Sequence, residues 1–218
     1  FAKDRKHGER DEFAVGRLNM HRDGYGFVIP DKPVPGVQGD LYIPRDSAEK
    51  AMHGDRVLAR VAFVKPDGRA DGEIVRVLRR AHATVVGEFK IRRRGNFVAP
   101  QDERIQQWIR IVPGMEIPDA QPPVDRVGVQ PLDISGVEDM ECLIVNVEVL
   151  DFGEDGGEYA GRVVEVLGRP GDFGVDVEIM IRKHHIPHQF PDPVLAAAKR
   201  VPDHISQDDL LRRRDFRE

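Results

Sequence analysis

"VGRLNMHRDGYGFVIP" (residues 15–30) and "VGEFKIRRRGNFVAP" (residues 86–100) are two copies of one phrase; with a single gap, both begin Val-Gly and end Phe-Val-x-Pro. A second pair of landmarks follows in the same order, "GEIVRVLRR" (72–80) and "GRVVEVLGR" (161–169). Matching starts and matching ends, about 70 and 89 positions apart, mean that whole modules recur rather than one motif. Modules of about 65 and 85 residues suit a five-stranded barrel of the OB type.

Between the landmarks the chain reads as short strands and turns. "LYIP" (41–44), "RVLARVAFV" (56–64), "EIVRVL" (73–78), "CLIVNVEVL" (142–150) and "RVVEVL" (162–167) alternate apolar with polar residues and are rich in β-branched side chains. "PDKPVPGVQGD", "PDGRADG" and "DFGEDGG" supply the Gly, Pro and Asp of turns. Helical spacing is nearly confined to two places. Residues 46–52 predict two turns capped by Asp46 or Ser47 and closed at Gly54. Residues 191–201 predict a helix capped by Asp192, with Pro193 in its first turn and Pro202 as its stop. The fold class is therefore all-β.

With 218 residues and 40% hydrophobic content, the chain can bury two small cores. Its single cysteine, Cys142, excludes an internal disulfide framework and a cysteine-rich zinc site; a reducing, cytoplasmic compartment is expected. Cys142 reads as a buried thiol in an apolar strand. The longest apolar runs fall far short of a membrane span, so no membrane partner is expected. The net charge of −5 hides an asymmetry: residues 1–101 carry 20 Lys and Arg against 14 Asp and Glu, and residues 102–218 carry 13 against 24. Arg92, Arg93 and Arg94 form the densest basic cluster.

The basic half also holds the aromatic motif. In a strand, residues two apart share a face, so Tyr25 and Phe27 project together while Gly24, Gly26 and Val28 take the other side. The rings either pack in the core or stand outside it. Three features point outward: Val28 and Ile29 give the barrel its own apolar residues, Tyr42 adds a third ring on a neighbouring strand, and His21, Arg22 and Arg45 flank both strands. Rings among cations are the composition that stacks bases and holds phosphates, so single-stranded RNA is the expected partner, bound with little sequence discrimination. An RRM carries a similar aromatic motif, but it needs two helices between its strands, and residues 30–72 offer one short candidate.

"GYGFVIP", then "DLYIP" and "HGDRV" (53–57), resembles a cold-shock domain of the ribonuclease R / ribonuclease II family. "GRVVEVLGRPGDFGVDVEIMIRKHHIPHQFP" (161–191) resembles that family's second cold-shock domain and the segment that leaves it. The resemblance implies two tandem OB-fold, cold-shock-like barrels with a short, partly helical C-terminal linker. Its boundaries are a flexible lead-in at 1–12, a first barrel at 13–81, a second at 82–168, and an extension and linker at 169–218. It further implies a role as the RNA-binding part of a hydrolytic 3′–5′ exoribonuclease, handing RNA to a catalytic domain whose aspartates hold Mg²⁺. No aspartate motif of that kind occurs here, so this chain, which begins at Phe1 rather than Met, is expected to be part of a longer protein, to hold no cofactor of its own and to have no catalytic residues.

The second module departs from the first. Gly95 and Asn96 replace the first aromatic and its glycine, leaving Phe97 alone. Trp108 reads equally as a replacement stacking ring beside Arg110 or as a core residue. Asp23, ahead of "GYGFV", places a negative charge where phosphate would approach. Asp208 and Asp209 read as part of a capped helix start at Ser206 rather than as metal ligands. His184, His185 and His188 are interrupted by Pro187 and read as linker residues rather than a zinc site. Two further readings stay open: a free-standing cold-shock-type RNA chaperone and a protein-interaction scaffold.

Overall fold

The computed structural model describes residues 12–119, 132–153, 157–188, 190–214 and 216. Apart from Glu12, the expected lead-in at 1–12 lies outside them. The chain divides into two compact units, Phe1–Lys183 and His184–Glu218.

The first unit contains both barrels. β1 (Phe13–Met20), β2 (Gly26–Pro30), β3 (Leu41–Ile43), β4 (Arg56–Val64) and β5 (Ala70–Arg79) close in the order β1-β2-β3-β5-β4, with a one-turn helix α1 (Arg45–Ala48) between β3 and β4. β6 (Thr84–Arg92), β7 (Gly95–Pro100), β8 (Ile109–Ile111), β9 (Ile144–Asp151) and β10 (Tyr159–Gly168) close in the equivalent order. All pairings are antiparallel except β3 with β5 and β8 with β10. This is the OB topology expected for each module.

Alternation builds each core. β1 turns Ala14, Leu18 and Met20 inward, and β4 turns Val57, Ala59 and Val61; they meet Val28, Leu41, Ile43 and Ile74. Phe89, Val98, Ile109, Ile111, Val145 and Val147 fill the second barrel. The repeated phrase is a repeated hairpin: Gly16 pairs with Pro30 and Gly87 with Pro100. Both glycines are required by close approach. A β-carbon on Gly16 would run into the Ile29 carbonyl oxygen, and one on Gly87 into that of Ala99.

"HGDRV" joins the barrels. Asp55, fully buried, accepts hydrogen bonds from the backbone N–H of Met52 (2.9 Å) and Ala81 (2.7 Å) and from Arg80 Nη1 (2.8 Å). The Arg80 guanidinium lies 4.2 Å from the Phe152 ring centre, and Met52 packs into the second barrel's core. His53 is buried and its Nδ1 accepts the Met20 N–H at 3.2 Å. Burial, with Arg104 next in effect, pushes its pKa down to about 4.

Several local expectations are corrected. The helix expected over 46–52 is α1, Arg45–Ala48, and its N-cap is Pro44 rather than Asp46 or Ser47. The Ser47 hydroxyl instead accepts the Ile74 N–H at 2.7 Å, a tertiary use of the group that capping would have needed. Cys142 is exposed, not buried. It sits in a turn with φ 64 ahead of β9, its N–H bonded to the Phe89 carbonyl, which aims its side chain outward. A helix that periodicity did not reveal, α2 (Val175–Lys183), packs on β6 and β10 through Val175 and Ile179. Its Arg182, 7% exposed, makes two hydrogen bonds to Glu165 (2.8 and 2.7 Å) and lies 2.8 Å from Glu178.

The second unit holds α3 (Asp192–Ala198) and α4 (Gln207–Arg212), neither with a buried residue. Pro191 is the N-cap of α3, so Asp192 begins the helix instead of capping it. Ser206 does cap α4, accepting the Asp209 N–H at 3.1 Å. Among the described residues, no helix is long and apolar enough to cross a membrane.

Candidate nucleic-acid interface

β2 settles which side the rings take. Gly26 and Val28 are buried and Phe27 is exposed, because the strand's alternation gives the core its apolar filling from the other face. Phe27 pairs across the ladder with Tyr42, and each is 37% exposed. Tyr25 completes a triangle, its ring centre 5.9 Å from Phe27 and 5.8 Å from Tyr42, with Phe27 and Tyr42 also 5.8 Å apart. His21 stacks on Tyr25 at 4.6 Å, nearly parallel at 11°. Four rings thus form one outward surface.

The β1–β2 turn frames this surface. Gly24, at φ 89, closes it by donating its N–H to the His21 carbonyl (2.9 Å), and the Arg45 guanidinium lies where a β-carbon on Gly24 would project. Asp23 has an internal role: its N–H donates to His21 Nδ1 at 3.2 Å, and its carboxylate lies 3.3 Å from the same nitrogen. The backbone hydrogen bond therefore braces the ring that stacks on Tyr25. Arg22 is exposed, and its carbonyl accepts from Gln106 Nε2 at 2.8 Å.

The second barrel carries a smaller cluster at the matching place. Phe97 and Trp108 lie 6.5 Å apart, and the Arg92 guanidinium is 5.6 Å from the Trp108 ring centre. Trp108 is 45% exposed, so it is a surface ring and not a core residue. Arg93 and Arg94 form the exposed tip of the β6–β7 hairpin, since Arg92 pairs with Gly95 on either side of them. Phe97 faces Arg110 in the pairing that sets Phe27 opposite Tyr42. Arg92, Phe97, Gln107, Trp108, Gly157, Glu158 and Tyr159 line a cleft of about 410 Å³. Glu158 and Gln107 were not among the residues expected from sequence; Gln107 adjoins Trp108 in the chain, and parallel pairing of β8 with β10 brings Glu158 to the same cleft.

The loop before Trp108 is held firmly. Asp102 accepts from Arg104 Nε (2.9 Å) and Nη2 (2.6 Å), and Lys183 lies 3.3 Å away. Burial pushes the Asp102 carboxyl up, but the Arg104 hydrogen bonds and the Lys183 charge outweigh it and hold the group well below the usual carboxylate range. Gln107 Nε2 reaches the Glu49 carbonyl at 3.1 Å, a second link beside Gln106 between the loop and the first barrel.

The structure therefore brings together Tyr25, Phe27, Tyr42, His21 and Arg45 in one cluster, and Arg92, Phe97 and Trp108 in another. Among the described residues, no group of three or more His, Cys, Asp or Glu is arranged to hold a metal ion. His184, His185 and His188 are exposed.

Comparison with known proteins fits this architecture. Residues 16–77 match the family model described as Ribonuclease B OB domain, and residues 97–191 that described as Cold shock domain. Ribonuclease R of Acidithiobacillus ferrooxidans is 30% identical over 207 residues, which are 95% of this chain and 42% of that protein. Ribonuclease R of Escherichia coli (strain K12) is 30% identical over 210 residues, 96% of this chain and 23% of that protein. The chain thus spans less than half the length of these relatives. Among solved structures, Mycoplasma genitalium RNase R in complex with ribose methylated single-stranded RNA shares the fold, with TM-score 0.66 at 15% identity over 89% of this chain and 27% of that one. Yeast Ssd1, a pseudonuclease, aligns with TM-score 0.54 at 15% identity over 78% of this chain and 24% of that one.

Proposed function

Since the chain belongs to the N-terminal cold-shock domains of the ribonuclease R family, we propose that it binds single-stranded RNA and guides it to the catalytic domain of a ribonuclease R-like 3′–5′ exoribonuclease in the cytoplasm. One observation carries the reading: Tyr25, Phe27 and Tyr42 stand on the outside of a barrel whose core is complete without them. Exposed rings at this density present π-faces to which any base can stack, at about 1–3 kcal/mol per base.

In this reading, bases stack on Tyr25, Phe27, Tyr42 and His21 while Arg22 and Arg45 hold the backbone. Phe97 and Trp108, with Arg92, Arg93 and Arg94, carry the strand over the second barrel. In this reading, hydrolysis and the Mg²⁺ that it uses belong to the catalytic domain.

The test is fluorescence anisotropy of a labelled uridine decamer with the 218-residue chain. Binding that weakens with salt, and weakens further in Tyr25→Ala/Phe27→Ala, is the expected result. Absence of binding at low salt would overturn RNA as the ligand, and binding indifferent to the double substitution would overturn the stacking surface.

A further inference from the structure

Beside the loss of a ring at Gly95, two exchanges at matched positions set the second barrel's cleft apart from the first barrel's surface. The shared pairings, Leu41 with Ala70 and Ile109 with Tyr159, align β3 with β8 and β5 with β10. Tyr42 thereby corresponds to Arg110, and Arg69 to Glu158. A ring has become a cation and a cation has become a carboxylate. Arg110 Nη1 lies 3.9 Å from Glu158 Oε2, and Trp108 and Phe97 line the same cleft as Glu158. At about 410 Å³ the cleft is a compact site, near the lower end of the size range of small-molecule pockets.

A carboxylate is a poor neighbour for phosphate, but it is a selective neighbour for a base. It only accepts hydrogen bonds, and its two oxygens suit two parallel donors. Guanine presents such a pair on one edge, N1–H beside the N2 amino group. Adenine and cytosine set an acceptor beside their amino group, and uracil flanks its single N–H with carbonyls. Arg92 in the cleft lining, with Arg110 beside Glu158, supplies the positive charge that lets a nucleotide enter.

We propose that this cleft is a guanine-selective pocket for a single nucleotide, the base resting on Trp108 and its donor edge on Glu158. The inference rests on the RNA-binding reading above and adds a base preference to it.

Anisotropy with four labelled decamers tests it: all uridine, or uridine with one central guanosine, inosine or adenosine. The guanosine decamer binds more tightly than the all-uridine one by about fivefold, the lower end of discrimination by a bidentate pair because Glu158 is exposed. Inosine, which keeps N1–H and lacks the amino group, falls between them, and adenosine matches uridine. Glu158→Gln brings the guanosine-to-uridine ratio to about one. Equal affinities for all four, or a preference that survives Glu158→Gln, overturn the pocket and leave RNA binding standing. Failure of every decamer to bind overturns both.

Discussion

Phe27 lies directly opposite Tyr42 across the β2–β3 ladder, with ring centres 5.8 Å apart and an interplanar angle of 65°. The edge of one ring faces the other, and both keep an open face to solvent. Their packing fixes the surface without consuming it.

Tyr42→Ala removes one side of the ring triangle. Affinity for a uridine decamer falls by about 1–3 kcal/mol, or five- to 150-fold. The melting temperature hardly moves, because Tyr42 is outside the core. Anisotropy and thermal unfolding on the same protein separate the two effects.

Basic side chains supply the rest of the affinity. A plot of log K against log salt has a negative slope of about 0.7 for each phosphate neutralised on a single strand. Arg45→Ala, which removes the guanidinium that α1 sets against the β1–β2 turn, makes that slope shallower by about one such step. An unchanged slope would remove Arg45 from the interface.

Gly16→Ala and Gly87→Ala each force a β-carbon against a carbonyl oxygen of the paired strand. A loss of about 2–3 kcal/mol is expected for either in urea unfolding. Gly39→Ala is the useful contrast. Its β-carbon would meet open space, and only the positive φ of 82 opposes it, costing about 1 kcal/mol.

Protonation of His53 destabilises the native state, because its folded pKa of about 4 lies below the ordinary 6.5. Between these values the unfolded chain binds the extra proton, so the contribution of His53 is whole above pH 6.5 and is lost as the pH falls towards 4. About 3 kcal/mol is at stake. His53→Gln flattens urea-unfolding free energies measured across that window; an unchanged slope in the variant would locate the acid sensitivity elsewhere.

Arg182→Met leaves Glu165 and Glu178 facing each other at the base of α2. Breaking this buried arrangement costs about 3–5 kcal/mol. The triple change with Glu165→Gln and Glu178→Gln recovers most of that loss, a comparison made by thermal unfolding.

Strands with one buried face were legible from sequence. The reading of 56–64 coincides with β4 because each inward residue is Val, Ala or Leu-flanked Val and each outward neighbour tolerates water. α2 was not legible, since Val175, Val177, Ile179 and Ile181 are β-branched at every second position and mimic a strand. What makes it helical is tertiary: Val175, Ile179 and Arg182 recur at helical spacing against β6 and β10, and Arg182 finds Glu165 there. In the site, Tyr25 and Phe27 declared a shared face through their spacing of two. Glu158 could not declare its place beside Trp108, fifty positions earlier, until the parallel β8–β10 pairing joined them. Asp23, which in sequence looked hostile to phosphate, holds the His21 ring through its backbone N–H, a contact that the order of residues does not reveal.

Met52 follows α1 of the first barrel yet contributes its side chain to the core of the second. The boundary drawn by the sequence repeat is therefore not a line along which the protein can be cut. A fragment beginning at residue 82 would carry an unfilled socket, and one ending at residue 81 would expose an apolar plug. The tandem is expected to melt as a single cooperative block in thermal unfolding, and the spacing between its two aromatic surfaces is set by side chains packed across the boundary rather than by a tether.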